Sequence, residues 1–151
     1  MLGQIEREES SPTIATLWKI ASGFDTSFSS FIDDIHSESS EPVHRHGRTQ
    51  QLHPKDKKIR VMPLFPFDNK LNLEIFSIKL LPTCEHLSPP HQSGVIEHVI
   101  VVDGKMEVLA NGTWQTLKKG DGFRFDANQP HGYRNLSSKI AIIHDIIHYQ
   151  K

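Results

Sequence analysis

Between His91 and Asn135 the chain repeats one pattern: an apolar or alternating run, then a glycine-bearing turn, then another such run. His91-Gln92-Ser93-Gly94-Val95-Ile96-Glu97 leads into His98-Val99-Ile100-Val101-Val102, which stops at Asp103-Gly104. Asp-Gly and Asn-Gly pairs favour the type I′ turn, because both central residues need a positive φ that glycine adopts freely and Asp or Asn tolerates. Lys105 to Leu109 therefore reads as a return strand. It meets a second turn at Asn111-Gly112, after which Thr113-Trp114-Gln115-Thr116-Leu117 runs to Gly120-Asp121-Gly122. Two such turns in succession predict a β-meander. Phe123-Arg124-Phe125 then alternates as a strand, Asn128-Gln129-Pro130 breaks it, and His131 opens a further strand toward Asn135. The segment reads as mainly β.

Strands are expected on both sides of it. Ile59 and Val61-Met62-Pro63-Leu64 make the first, Phe65 to Asn69 a turn, and Leu71 to Ile78 a half-buried strand with Leu71, Leu73 and Ile75 on one face. Leu81 to Pro90, with prolines at 82, 89 and 90, is a loop that delivers His91. Ile140 to Tyr149 is apolar at nearly every position, as in a strand buried on both faces or at an interface. His144 and His148 share a face with Ile142 and Ile146 and read by default as core or surface histidines.

The N-terminal stretch has a different period. Met1 to Arg7 reads as the end of a helix, and Ser11-Pro12 as the cap and first turn of another, in which Ile14, Leu17, Trp18, Ile20 and Ala21 recur at three- and four-residue intervals up to Gly23. Ser27 to Ile32 makes a further helical turn with Phe28, Phe31 and Ile32 on one side. Residues 33–57 are polar and aperiodic, which is a linker composition. His44-Arg45-His46 within it has no third ligand nearby and reads as solvated.

Two family resemblances follow. Glu97 and Gly104 keep the Glu-x(6)-Gly spacing of the first cupin motif, with His91 on its first histidine, and Gly120, His131 and Asn135 keep the spacing of the second. Ser93 stands where the first motif has its second histidine, and Asp126 and Asn128 stand where the second has Pro and Gly. The region 58–151 thus resembles a cupin, a double-stranded β-helix barrel. Leu2-Gly3-Gln4-Ile5-Glu6-Arg7, Ser11-Pro12-Thr13 and Leu17-Trp18-Lys19-Ile20-Ala21 resemble the C-terminal part of the Cro/lambda-repressor (xenobiotic response element) helix-turn-helix domain, so 1–32 reads as an all-α remnant of it. That resemblance places Gln4 where some relatives contact a base and leaves Arg7 for a phosphate. The match begins in mid-motif, so the chain reads as a fragment or as one begun at an internal methionine, in either of which the natural protein is expected to be longer, with a natural short form whose remnant binds a partner protein as the third explanation. Without the missing helices, the apolar face of Leu17, Trp18 and Ile20 is expected to be exposed.

Together the two resemblances imply a DNA-binding regulator whose cupin domain senses a small metabolite, acting as a homodimer. The pocket expected is His91, Ser93, Glu97 and His131. The residues leave two readings of it. His91, Glu97 and His131 make a two-histidine, one-carboxylate set suited to Zn, Fe, Mn or Ni; alternatively they are metal-free groups that hydrogen-bond a ligand or one another. A cupin enzyme, a dioxygenase or isomerase, and a plain dimerisation scaffold are the rival functions. Composition bounds the partners. Seventeen basic against eighteen acidic residues leave no general attraction to nucleic acid or anionic lipid, and residues 1–32 carry two basic against four acidic groups. No window approaches the roughly 20 apolar residues of a membrane span, and the lone Cys84 can form no internal disulfide; both fit a cytoplasmic protein.

Overall fold

A computed structural model of the chain describes Arg7 and residues 12–24, 26–31 and 57–150. Among the described residues, nine strands follow one short helix and a single 3-10 turn. They are β1 (Ile59–Asp68), β2 (Leu73–Leu80), β3 (Cys84–Ser88), β4 (Val95–Asp103), β5 (Lys105–Ala110), β6 (Thr113–Lys118), β7 (Gly122–Asp126), β8 (His131–Asn135) and β9 (Ala141–Tyr149). Two antiparallel sheets face each other, one ordered β1-β2-β9-β4-β7 and the other β3-β8-β5-β6. This is the barrel expected from the sequence.

The meander is only half present. Asn111 and Gly112 both take positive φ, 51° and 72°, and close a two-residue hairpin in which Ala110 pairs with Thr113. At Asp103-Gly104 only the glycine does so, at 81°. β4 pairs with β7 and β9, while β5 pairs with β6 and β8. Gly104 therefore carries the chain from one sheet to the other instead of closing a hairpin. Turn chemistry marks where a strand ends; it does not say which strand comes next to it. A Cβ on Gly104 would sit 2.7 Å from the Ile140 carbonyl oxygen, so this crossing requires the absence of a side chain as well as the positive φ.

β9 runs between β2 and β4. Its inward set is Ala141, Ile143, Asp145 and Ile147, and the outward set Ile142, His144, Ile146 and His148 is half-buried. The strand is therefore buried fully on one face only. β2 corrects the expected face: Glu74, Phe76, Ile78 and Leu80 point inward, Leu73 and Ile75 are half-buried on the other side, and Leu71 is exposed in the preceding turn. Both parities of β2 are apolar, so alternation alone could not choose, and the buried face carries Glu74.

The helix, α1 (Ile14–Gly23), is capped by Thr13, whose hydroxyl accepts from the Thr16 amide, not by Ser11; Pro12 precedes the helix. Phe24 follows Gly23 at φ −98°, without a left-handed residue at the end. Phe28–Phe31 forms the 3-10 turn η1. The expected exposed apolar face is not found. Of the three residues expected on it, Trp18 is buried, Leu17 is half-buried against the same core and Ile20 is half-buried; Ile14, Trp18 and Phe28 belong to one core with Phe76, Ile78 and Ile147 of the barrel. Each such side chain contributes about 1.5–3 kcal/mol by leaving water. The barrel mouth supplies the partner that was expected from missing helices. The linker expected over 33–57 lies, but for Lys57, outside the described residues, as do Gln4, His44 and His46.

Gly104→Ala is expected to lower stability by about 3 kcal/mol, since it meets both a backbone clash and a positive φ, whereas Gly112→Ala, with nothing within 4 Å, meets only the φ cost of about 1 kcal/mol. Urea denaturation of the two variants checks the difference.

Candidate functional site

Alternation along four strands aims polar groups into one end of the barrel. β4 contributes Glu97 between Val95 and Val99; β8 contributes His131 and Tyr133; β3 contributes His86 and Ser88; β9 contributes Asp145. His91 arrives from the loop before β4, where its amide donates to the Ala127 carbonyl at 2.8 Å. His91, Glu97, His131 and Asp145 are each at most 7% exposed.

Glu97 is the hub. His91 Nε2 lies 2.8 Å from Glu97 Oε1, the Tyr133 hydroxyl donates to Oε2, and His131 Nε2 is 3.4 Å from Oε1. Burial pushes the Glu97 carboxyl up, but the His91 hydrogen bond, the two imidazoles and Tyr133 outweigh it and hold the group below its ordinary range. Burial holds His131 below the ordinary imidazole value. The tautomer of His131 follows from its other nitrogen: Nδ1 lies 2.9 Å from the Gln129 carbonyl oxygen, which can only accept, so Nδ1 carries the proton. In the neutral ring Nε2 is then a lone pair facing a carboxylate oxygen. Nothing among the described residues satisfies it, and there His91 Nδ1 and Asp145 Oδ1 are also buried without a hydrogen-bond partner. Two acceptors aimed at one point need a cation or a water between them.

Asp145 receives the Tyr133 hydroxyl at 3.4 Å, and burial, followed by the charge of Glu97, keeps its carboxyl well above the usual range. The free space at the site is about 20 Å³, enough for one water or one ion. Among the described residues, His91, Glu97 and His131 form the one group of three metal-type side chains, with ligand atoms within 4.8 Å of one another.

Three expected site residues thus meet, and one does not. Ser93 is exposed in the turn before β4 and is outside the cavity lining, so its hydroxyl takes no part in the pocket. The turn is held by the Gln150 amide on the Gly94 carbonyl, with Gly94 at φ 86°. Arg7 is exposed in a turn. Other motif positions are structural. Asn135 Nδ2 donates to the carbonyls of Leu80 and Lys139, and the Asn128 amide donates to Asp126 Oδ1, a local turn where a proline is usual.

Several site residues went unread in the sequence. Tyr133 and Asp145 were discoverable, the first by lying two positions beyond His131 and the second by sharing parity with Ile143 and Ile147. The roof was not. Ile14, Trp18 and Phe28 close the cavity from outside the barrel; Trp18 stacks on His91 with ring centroids 3.9 Å apart and on Phe28 at 4.7 Å. Glu74, fully buried, accepts from the amides of Ser29 at 2.9 Å and Phe28 at 3.3 Å and from the Tyr149 hydroxyl, which caps η1 and fastens it to β2.

Residues 78–147 match the family model of the cupin domain. The chain is 44% identical over all 151 residues to the HTH-type transcriptional regulator SutR of Escherichia coli, of which it covers 80%. A crystal structure of an HTH_3 family transcriptional regulator from Vibrio cholerae matches with a TM-score of 0.84 and 43% identity over the whole chain, covering 80% of that protein. The cupin domain of an XRE family transcriptional regulator from Enterobacter cloacae matches 62% of the chain at 45% identity and a TM-score of 0.61.

Burial holds the Glu74 carboxyl above its ordinary value of 4.5, so its contribution to stability is fully present below that value and is lost as pH rises through the folded-state value. Glu74→Gln has no such group to titrate. The stability advantage of the wild type over this variant is expected to shrink between pH 4 and pH 7, as read by urea denaturation at a series of pH values.

Proposed function

The chain belongs to the helix-turn-helix transcriptional regulators that carry a cupin domain, and from that premise we propose that its barrel holds a divalent metal ion on His91, Glu97 and His131 and presents it to a small effector that biases DNA binding. The observation that carries this reading is the unpartnered His131 Nε2 facing Glu97 Oε1 inside a cavity of single-ion size. The donor set fits: two neutral imidazoles and one ionised carboxylate suit Zn, Fe, Mn or Ni. The Gln129 carbonyl on His131 Nδ1 and the Tyr133 hydroxyl on Glu97 orient two of the three ligands, as partners behind metal ligands do. Bound there, the ion would supply a Lewis-acidic contact for an oxygen- or nitrogen-bearing molecule. Among the described lining residues none is Lys or Arg, so an anionic effector would depend on the ion for its charge complement.

Sensing is favoured over catalysis by the relatives named above, which carry the names of transcriptional regulators. A homodimer is the state in which helix-turn-helix proteins address paired half-sites. The same reading places the chain in the cytoplasm with DNA as its partner; among the described residues no helix is long and apolar enough to cross a membrane.

Elemental analysis of the purified chain, paired with thermal unfolding before and after chelation, tests the assignment. About one metal ion per chain is expected, and its removal should lower Tm by about 5–10 °C, as loss of a ligand present at ~100 times its Kd does in a domain of this size. Glu97→Ala and His131→Ala should each weaken metal retention by at least about 100-fold. A metal-free protein indifferent to chelator would leave the pocket as a hydrogen-bonding site without a metal.

A further inference from the structure

The cupin strands do not complete the cavity by themselves. Its outer wall is Ile14 and Trp18 of α1 and Phe28 of η1, and Trp18 lies directly on His91, with the rings stacked 24° from parallel. Removing that indole would open the site to solvent. Its presence leaves space for an ion or a water and nothing larger.

We propose that Trp18 is an effector-contacting residue of the site and that α1 with η1 is its movable roof: a ligand larger than one ion reaches His91 and His131 only when Trp18 lifts from His91. The inference rests on the reading of this cavity as the effector site. The roof is held differently from the barrel. Each barrel strand is fixed by a ladder of backbone hydrogen bonds, whereas among the described residues the roof has few polar ties. They are the Glu74 carboxylate on the amides of Phe28 and Ser29, the Phe67 amide on Ser29 Oγ at 2.8 Å, and the Gln92 side chain on the Ser22 carbonyl at 3.2 Å. What remains is ring packing, in which Trp18, Phe28 and Phe76 form one continuous set of contacts. The stack of Trp18 on His91 involves none of these ties, whereas freeing η1 would require Glu74 to give up the amides of Phe28 and Ser29.

Opening the Trp18–His91 stack would create a slot with indole and phenyl rings on one side and the two imidazoles on the other. That lining suits a flat molecule offering an oxygen or nitrogen donor to the imidazoles or to an ion held there. The same displacement moves α1, the segment that precedes the barrel in the chain, and so carries a signal out of the cupin domain. A residue from the helical half would then read the effector directly.

The test is carbethoxylation of histidines by diethyl pyrocarbonate in the chelator-treated 151-residue chain, followed residue by residue by mass spectrometry, with His144 and His148 of the outer sheet face as reference. In the wild type, His91 and His131 should react at least ten-fold more slowly than the reference pair. Trp18→Ala should raise their rates at least ten-fold, Trp18→Phe, which keeps a ring over His91, should leave them protected, and Glu74→Gln should raise them in proportion to how far it frees η1. Unchanged protection of His91 in both Trp18→Ala and Glu74→Gln would overturn the roof, because the barrel would then close the site alone. If Trp18→Ala unfolds the barrel, equal protection in Glu74→Gln and wild type overturns it instead. Added Zn(II) separates this proposal from the metal assignment: loss of the roof effect with Zn(II) protection intact sinks only the roof, and a roof effect without Zn(II) protection sinks only the metal.

Discussion

The rest of the structure is arranged around one buried carboxylate. Glu97 is 1% exposed, and a charge in that position is tolerable only because His91 and Tyr133 bring donors to it and His131 stands opposite. The partners come from two separate places: a loop after two prolines for His91, the β8 strand for His131 and Tyr133. Their convergence requires the two sheets to be joined where they are. The crossing at Gly104, the β8 end held by Asn135 on Leu80, and the paired run of Ser88 against His131 all serve to keep β8 opposite β4. Satisfying Glu97 is thus a demand on the topology as much as on the pocket.

A second buried carboxylate ties the helical segment into the same arrangement. Glu74 sits on the inward face of β2, and instead of meeting a base it meets the open amides of η1. Phe28 is thereby placed against Phe76, and Trp18 over His91. The two carboxylates have opposite characters. Glu97, surrounded by imidazoles, is held below its ordinary range, whereas burial pushes Glu74, with only neutral donors to offset it, above its own. The first is suited to facing a cation; the second is suited to holding backbone.

Much of this was legible in the residues, and the limits are physical. Motif spacing located Glu97, His91 and His131, since strand alternation and tight turns are local properties that survive in any context. It also placed Ser93 in the pocket, wrongly, because a two-residue offset keeps parity only while the backbone stays extended, and the chain turns at Ser93-Gly94 before β4 begins. Pairing between strands was not local: Asp103-Gly104 resembles Asn111-Gly112 in sequence and differs from it in what the next strand pairs with. The face of β2 was misread because Glu74 satisfies itself on a segment 45 residues away, which no window along the chain contains. The docking of α1 was unreadable for the same reason. Its apolar stripe said that something covers it, and only the fold says that the barrel does.

The account stands on Trp18 and the His91–Glu97–His131 group sharing one site, and the most direct measurement is the emission of Trp18 during a Co(II) titration. Trp114→Phe removes the second of the two tryptophans, so that the signal is Trp18 alone. Quenching that saturates at one Co(II) per chain, and that disappears in Glu97→Ala, is the result expected of an indole stacked on a metal-binding imidazole. Co(II) bound at one per chain with Trp18 emission unchanged would contradict it.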